Sequence, residues 1–406
     1  MSRNQPSLYE GHRLILDEAI DLSLASLRAY GESYRHWAVA YSGGKDSSAT
    51  VTFVAWAIKA GLVPAPESLT VLYADTRMEL PPLQQTAMAL LELLRADGFE
   101  TKVVMPALDD RFFVYMFGRG VPPSSNRFRW CTPQLKIEPM EAELIDLAVF
   151  YGHGDWVLEK TTNKIVYEGF GEQKMLMLTG VRLGESAVRD QRIAVSCSSK
   201  DGECGQGWMQ VHAPQHVVDT LAPLLHWRLC HVYDWLYFDS SRHGYEVVTQ
   251  IATIYGEDEV RTGCVGCPLA SRDVALERLV KNPDWRHLTP LLGLKPLYRE
   301  LKKSKYRLRK AEPEIRKDGK YSKNGQRMGP LTLEARGYGL ETVLDIQART
   351  GVDLINAVEE ARIRELWAMG QWPDGWTGDE VRADQPIPLI HAVGGDLITQ
   401  PLLLGG

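Results

Sequence analysis

The stretch Tyr41–Ser48, YSGGKDSS, decides how this chain is read. It follows the apolar run Trp37–Ala40, WAVA, which has the make-up of a strand buried on both faces, and a helix is expected to begin near Asp46. Between strand and helix, two glycines, a lysine and serines make a seat for an anion. Glycines let backbone N–H groups approach phosphate oxygens, the helix adds its positive end, and Lys45 adds a full charge. The stretch is not a Walker A loop, which needs a glycine five positions before Gly44, where Val39 stands. The alternative is a tight Gly-Gly turn carrying an exposed lysine.

Working outward, strand signals alternate with helix signals. A first helix is expected from about Leu8 to Tyr30, with Gly31 as its stop. The run LTVLYAD (Leu69–Asp75) leads to a helix opened by Pro81 and Pro82, KVVM (Lys102–Met105) follows, and KMLMLTGV (Lys174–Val181) comes later. Such alternation predicts an α/β fold, a parallel sheet with helices on both faces, whose ligand sits beyond the carboxyl ends of the strands. The expected organisation is an N-terminal helix packed on the core (1–35), a core domain (36–295) with a cysteine-bearing region (196–267), a basic linker (296–328) and a small C-terminal helical part (329–406). Residues Gly152–Gly171 read as an excursion from the core and Ser196–Gly207 as a glycine-rich loop.

The chain has 406 residues, 44% hydrophobic and 24% charged, with a formal net charge of −6. That composition suits a folded chain long enough for a large core. There is no apolar run of about 18 residues and no charged-then-apolar leader, so neither a membrane span nor a secretory leader is expected and the cytoplasm is the expected compartment. Between Arg299 and Arg327 basic residues outnumber acidic ones roughly three to one. That run is either a solvated helix and linker or a contact with a phosphate backbone through residues such as Lys302, Lys303 and Lys305.

Other residues carry candidate chemistry. Asp75 and Thr76 end a strand on the ligand side, where a carboxylate holds Mg²⁺ or a ribose hydroxyl and a threonine touches phosphate; a turn-capping role is the alternative. Arg182 and Arg189 flank Glu185 and Ser186 at a strand-to-helix junction, placed to grip phosphate, although Arg189 is also one helical turn from Glu185 and suited to pair with it. Cys264 and Cys267, with Gly263 and Gly266, have the spacing for two thiolates on one metal. Cys131, Cys197 and Cys204 are further candidates, and Cys230 reads as core packing. Four thiolates fit structural zinc or a [4Fe–4S] cluster, and spacing does not choose between them.

SGGKDS resembles the signature of the PP-loop ATP pyrophosphatases. Within that superfamily the chain resembles the phosphoadenosine-phosphosulfate-reductase branch through ADTRMELP (Ala74–Pro81), RWCTPQLKIEP (Arg129–Pro139), GVRLGESAVR (Gly180–Arg189) and PLLHWRLCHVYDWL (Pro223–Leu236). GCVGCPLASRD and GPLTLEARGYGLETVLDIQ are similar to the ATP-pyrophosphatase component of DNA phosphorothioation systems. The resemblance implies ATP, usually with Mg²⁺, bound by Ser42, Gly43, Gly44, Lys45, Asp46 and Ser47, with Asp75, Thr76, Gly180, Arg182, Glu185 and Arg189 completing the site and Lys45, Asp46 and Arg182 catalytic. It implies a [4Fe–4S] cluster on Cys131, Cys204, Cys264 and Cys267, with Cys197 as the alternative to Cys204. The activity implied is cleavage of ATP between its α and β phosphates, leaving an adenylylated acceptor, here a DNA backbone phosphate, for displacement by sulfur from a cysteine desulfurase. Other subunits of a DNA-modification complex are implied partners. Two alternatives stand beside this reading: a phosphoadenosine or adenosine phosphosulfate reductase, whose Glu-Cys-Gly nucleophile is expected in a C-terminal tail rather than at Glu203–Gly205, and a scaffold subunit that binds ATP without turning it over. A tRNA-thiolating enzyme shares the loop but not the expected GVRLGES stretch.

Overall fold

The computed structural model describes residues 14–159, 164–169, 174–198, 202–212, 216–256, 263–310, 328–385, 389–391 and 397–399. Its residues group into two units, the first made of 1–75, 79–105 and 136–262 and the second of 76–78, 106–135 and 263–406. The sequence had placed 106–135 and 263–295 with the sheet; their packing groups them with the C-terminal helices.

The first unit contains strands β1 (His36–Tyr41), β2 (Ser68–Ala74), β3 (Glu100–Val104), β4 (Gly154–Glu159), β5 (Lys164–Gly169), β6 (Met175–Leu178), β7 (Gly202–Glu203), β8 (Trp208–Gln210) and β9 (Val218–Ala222). Seven of them form one sheet in the order β3-β2-β1-β6-β9-β8-β7. The five from β3 to β9 run parallel, in register Val39↔Val71 on one side of β1 and Val39↔Leu178 on the other, while β7 and β8 close the edge antiparallel. Chain order runs outward from β1 in both directions, so the sheet's switch point lies between β1 and β6. Crevices at such points receive ligands because the two flanking loops leave on opposite faces.

Helices α1 (Leu16–Gly31), α2 (Lys45–Lys59), α3 (Pro81–Ala96), α4 (Glu138–Phe150) and α5 (Ala187–Ser198) accompany the sheet. Side chains of a strand alternate faces. Ala38, Leu72, Val104 and Met175 pack against Leu144, Leu147 and Ala148 of α4. Tyr41, on the opposite face from Ala38, accepts a 3.4 Å hydrogen bond at its hydroxyl from Ser48 of α2. Behind α2 lies an aromatic cluster in which Phe53 meets Trp227 at 5.5 Å and Trp235 at 5.4 Å. The Trp235 indole donates to Thr52 at 2.9 Å, and the Trp227 indole donates to Ser23 of α1 at 2.9 Å. These bonds fix α2, and with it the loop at its start.

Three expectations change. The first helix begins at Leu16, since Leu14 and Ile15 are outside it and residues 8–13 lie outside the described residues. The excursion at 152–171 contains the hairpin β4–β5, a two-stranded sheet of its own. The stretch 196–207 is less irregular than its glycines suggested, because α5 runs to Ser198 and β7 follows at Gly202. No described helix is long and apolar enough to cross a membrane.

The second unit includes helices Leu294–Leu301, Leu333–Thr350 and Ala357–Ala368, with β10 (Arg307–Arg309) paired antiparallel to β11 (Met328–Leu331). Leu340, Val343 and Ile363 are fully buried in it. Arg336 is buried too: its guanidinium donates to the Gly118 carbonyl at 3.0 Å and the Gln371 carbonyl at 3.1 Å, lies 3.8 Å from the Trp372 ring, and is pulled down to about 9 by burial.

The described part of the basic stretch is turned to structural use. Lys302 donates to the carbonyls of Ser124 at 2.9 Å and Pro268 at 3.3 Å, and burial lowers its pKa. Lys303 and Lys305 both pair with Glu300, at 2.5 and 2.8 Å. Arg307 donates to the carbonyls of Gly329 and Met328 and is buried, as is Arg309, while Lys310 pairs with Glu380 at 2.8 Å. Lys302 is thus committed to backbone carbonyls inside the fold, while Lys303 and Lys305 share Glu300 at the surface. Residues 311–327 lie outside the described residues.

Burial, the largest cause in each case, lowers the pKa of His36, His153, His212, His226, His231 and His243 below the ordinary 6.5. The folded chain therefore binds fewer protons than the unfolded chain just below that value. The stability these rings contribute is present above 6.5 and lost as pH falls through the lowered values. Chemical denaturation followed by tryptophan fluorescence should accordingly give a lower midpoint at pH 5.5 than at pH 7.5.

Candidate phosphate-binding site

The Tyr41–Ser48 stretch folds as its composition requires. After β1 the chain turns at Gly43, whose φ of +71° is left-handed and whose absent Cβ would meet Tyr73 at 3.4 Å. Gly44 then takes the N-cap position of α2, with no side chain capping it. The first turn of α2 is thereby kept for an external acceptor. Ser42 and Ser47 tie the loop across its mouth: their hydroxyls lie 3.1 Å apart, Ser47 accepts from the Ser42 N–H at 3.3 Å, and it donates to the Gly44 carbonyl at 3.0 Å.

Asp46 sits at the centre. One carboxylate oxygen accepts from the Lys45 ammonium at 2.7 Å and the other from the Arg182 Nε at 2.5 Å. Arg182 is 5% exposed, and its Nη1 donates to the Trp227 carbonyl at 3.2 Å. Two cations against one carboxylate leave an excess positive charge at the helix's positive end, which suits an anion. The Lys45 ammonium also stands 5.3 Å from the centre of the Tyr255 ring.

Arg182 arrives from the segment after β6, the neighbour of β1 across the switch point. Gly180 permits its approach, since a Cβ there would lie 2.9 Å from the Ser47 backbone nitrogen and 3.0 Å from the Asp46 carbonyl carbon. Lys45, Asp46, Ser42, Ser47, Gly43, Gly44, Gly180 and Arg182 are therefore brought together, all in the first unit.

The remaining candidates divide. The Arg182 N–H donates to Glu185 at 3.4 Å, so Glu185 belongs to the turn that carries Arg182. Arg189 pairs with the same carboxylate one helical turn away, the second of the two roles open to it. Asp75 is buried at the end of β2 and accepts from Gln84 at 3.2 Å. Thr76, in the second unit, caps a turn by accepting from the Met78 N–H at 3.3 Å. Arg77 follows in a left-handed conformation (φ 59°) and pairs with Glu359 at 2.9 Å and Asp353 at 2.8 Å; Arg111 meets the same buried Glu359 at 3.1 Å. Sequence reading passed over the Trp227 carbonyl and Tyr255. The first lay inside a quoted motif as an ordinary core tryptophan, and the second carried no signal.

The cysteines do not assemble as expected. Cys204 is bonded to Cys197 in the first unit, where the His226 ring contacts the Cys204 carbonyl at 3.2 Å. Cys131, Cys264 and Cys267 belong to the second unit and are outside any disulfide. Cys267 donates its N–H to the Cys264 carbonyl at 3.0 Å, and both sulfurs lie beside Tyr298, whose phenol is pushed well above its ordinary value by burial first and by these sulfurs next. Among the described residues no three His, Cys, Asp or Glu side chains are gathered as a metal site. Of the four cysteines expected to hold a cluster, Cys204 is bonded to Cys197 in the first unit, and Cys131, Cys264 and Cys267 carry free thiols in the second. Cys230, expected in the core, is exposed: it sits in the helix Leu229–Asp234 beside buried His231 and Val232, and the helical phase turns it outward.

Residues 36–270 match the model of the phosphoadenosine phosphosulfate reductase domain, which spans both the loop and the Arg182 segment. The chain belongs to that family. No curated protein matches it. Among solved structures, it is similar to a phosphoadenylyl-sulfate reductase from Candida auris in a phosphate complex (11% identity, TM-score 0.32, 56% of this chain and 88% of that one). It is also similar to the Candida glabrata FMN adenylyltransferase with FMN and an ATP analogue (13% identity, TM-score 0.30, 58% and 60%). A third is the U34-tRNA thiolase NcsA from Methanococcus maripaludis with its [4Fe-4S] cluster (13% identity, TM-score 0.30, 71% and 82%). At this distance the likenesses carry no conclusion about chemistry.

The Gly180 contact gives a direct test of the loop. Gly180→Ala forces a methyl against the first turn of α2, and such overpacking costs about 1–3 kcal/mol. Denaturant titration should show Gly180→Ala less stable by roughly that amount, with the far-ultraviolet dichroism unchanged.

Proposed function

We propose that this member of the family is an ATP pyrophosphatase that adenylylates an acceptor oxygen, the acceptor being a nucleic-acid backbone phosphate prepared for sulfur. The observation carrying this reading is the Asp46 carboxylate holding Lys45 and Arg182 together at the uncapped start of α2. The β and γ phosphates of ATP lie on the N–H groups and hydroxyls of Ser42–Ser47. Arg182, fixed by Asp46 and the Trp227 carbonyl, meets the charge near the α-phosphate. An acceptor oxygen attacks the α-phosphorus, the bond to the bridging oxygen of the β-phosphate breaks, and pyrophosphate leaves with the electron pair. Lys45 neutralises the charge that builds there, a form of stabilisation preset in the fold. Mg²⁺ accompanying the nucleotide would add further charge neutralisation. The acceptor, now carrying AMP as a leaving group, is attacked by the terminal sulfur of a persulfide such as a cysteine desulfurase supplies; a thiol then cleaves the remaining S–S bond.

A reductase acting on an adenylylated sulfate is the second reading, favoured by the family to which residues 36–270 belong, although the Glu-Cys-Gly nucleophile of such an enzyme is expected in a C-terminal tail rather than at Glu203–Gly205. Sulfite released from such a substrate with a dithiol reductant would support it.

Incubation with ATP, DNA and a persulfide donor distinguishes the outcomes. AMP and pyrophosphate are expected, and Lys45→Ala should slow their formation about 10²-fold or more. ADP with orthophosphate as products, or full turnover by Lys45→Ala, would overturn the proposal.

A further inference from the structure

A second surface for a nucleic-acid strand can be read from the hairpin that precedes Cys131. Residues 125–129 read SNRFR, and Asn126, Arg127, Phe128 and Arg129 are all exposed, Phe128 at 49%. The hairpin is pinned. Ser125 and Phe128 exchange backbone hydrogen bonds of 3.1 and 3.0 Å, and the Ser125 hydroxyl accepts from the Phe128 N–H at 3.2 Å. The Trp130 indole ties the two stems by donating to the Pro122 carbonyl at 3.0 Å, and its ring stacks on Phe112 at 5.4 Å. Lys302 holds the Ser124 carbonyl from below while reaching the Pro268 carbonyl that follows Cys267.

Elsewhere in the same unit Arg77, Arg111, Arg307, Arg336 and Arg362 are committed to carboxylates or carbonyls. Among the described residues neither Arg127 nor Arg129 has a carboxylate partner. A chain with a net charge of −6 thus exposes two guanidiniums without a carboxylate partner that flank an exposed ring in sequence, on a support that loses little freedom when it binds. Guanidinium groups fit phosphates bidentately, and an aromatic face accepts any base. The geometry points to a contact with an unstacked base, Phe128 stacking on it while Arg127 and Arg129 take the phosphates to either side. Lys302, expected from its sequence neighbourhood to touch the polyanion, instead buttresses the hairpin that does. This inference rests on the nucleic-acid acceptor of the proposed function.

The test is fluorescence anisotropy of a labelled oligodeoxythymidylate across a salt series. For R127E/R129E the expected result is an affinity lower by about ten-fold or more, with the slope of log K against log salt reduced by about 1–2. Phe128→Ala should weaken binding about 5- to 100-fold, the range of one lost stacked base, with the slope unchanged. K303E/K305E, an equal change of charge away from the hairpin at lysines paired with Glu300, should lose clearly less affinity than R127E/R129E, and an equal loss in both overturns the inference. Unaltered binding by the hairpin variants overturns the inference. So does loss in R127E/R129E with none in Phe128→Ala, which identifies a plain polyanion contact such as an acidic peptide. The ATP products from the same samples separate the two proposals: AMP with intact hairpin-variant binding removes only the hairpin, whereas ADP removes only the pyrophosphatase.

Discussion

Asp46 holds the site together by answering two cations that arrive from different places. Lys45 is its chain neighbour, and Arg182 comes from the strand on the far side of the sheet's switch point. With the carboxylate in place, a guanidinium buried to 5% exposure has a counter-charge and a backbone acceptor, and the excess charge is left at the start of α2. Without it, two like charges would face each other in a region of low dielectric, where repulsion is poorly screened. The register of β1 between β2 and β6, the Gly180 approach and the aromatic cluster behind α2 all serve to bring those three side chains to one point.

The second unit uses charge differently. Several of its arginines and lysines are spent on carbonyl groups inside the fold: Arg336 on Gly118 and Gln371, Arg307 on Gly329, Lys302 on Ser124 and Pro268. Buried cations of this kind are held because the carbonyls replace the water they lose, and the lowered pKa values of Arg307, Arg336 and Lys302 record the part not replaced. A run of basic residues in sequence is therefore a poor guide to a basic surface here. Two exposed guanidiniums without a carboxylate partner among the described residues, Arg127 and Arg129, lie in a shorter stretch whose charge density is unremarked in the sequence.

The cysteines follow the same pattern. The resemblance grouped Cys204, or Cys197 in its place, with Cys264 and Cys267, while in the fold Cys204, just after β7, is bonded to Cys197 of α5. Cys264 and Cys267 remain neighbours because a two-residue interval fixes them locally.

What the sequence by itself determined is what short range controls. The strand, the left-handed Gly43, the uncapped Gly44 and the helix carrying Lys45 and Asp46 follow from steric rules acting over a few residues, and so does the alternation that makes the sheet parallel. The pairing of Arg189 with Glu185 was open to sequence reading for the same reason, being one helical turn. Tertiary structure decided the rest. Arg182 meets Asp46 across 136 residues only because β6 lies beside β1, and Lys302 meets Ser124 across 178 because the helix Leu294–Leu301 packs near the hairpin's base. Such partners are chosen by which elements bury each other's apolar faces, a choice the whole chain makes at once and no local pattern encodes.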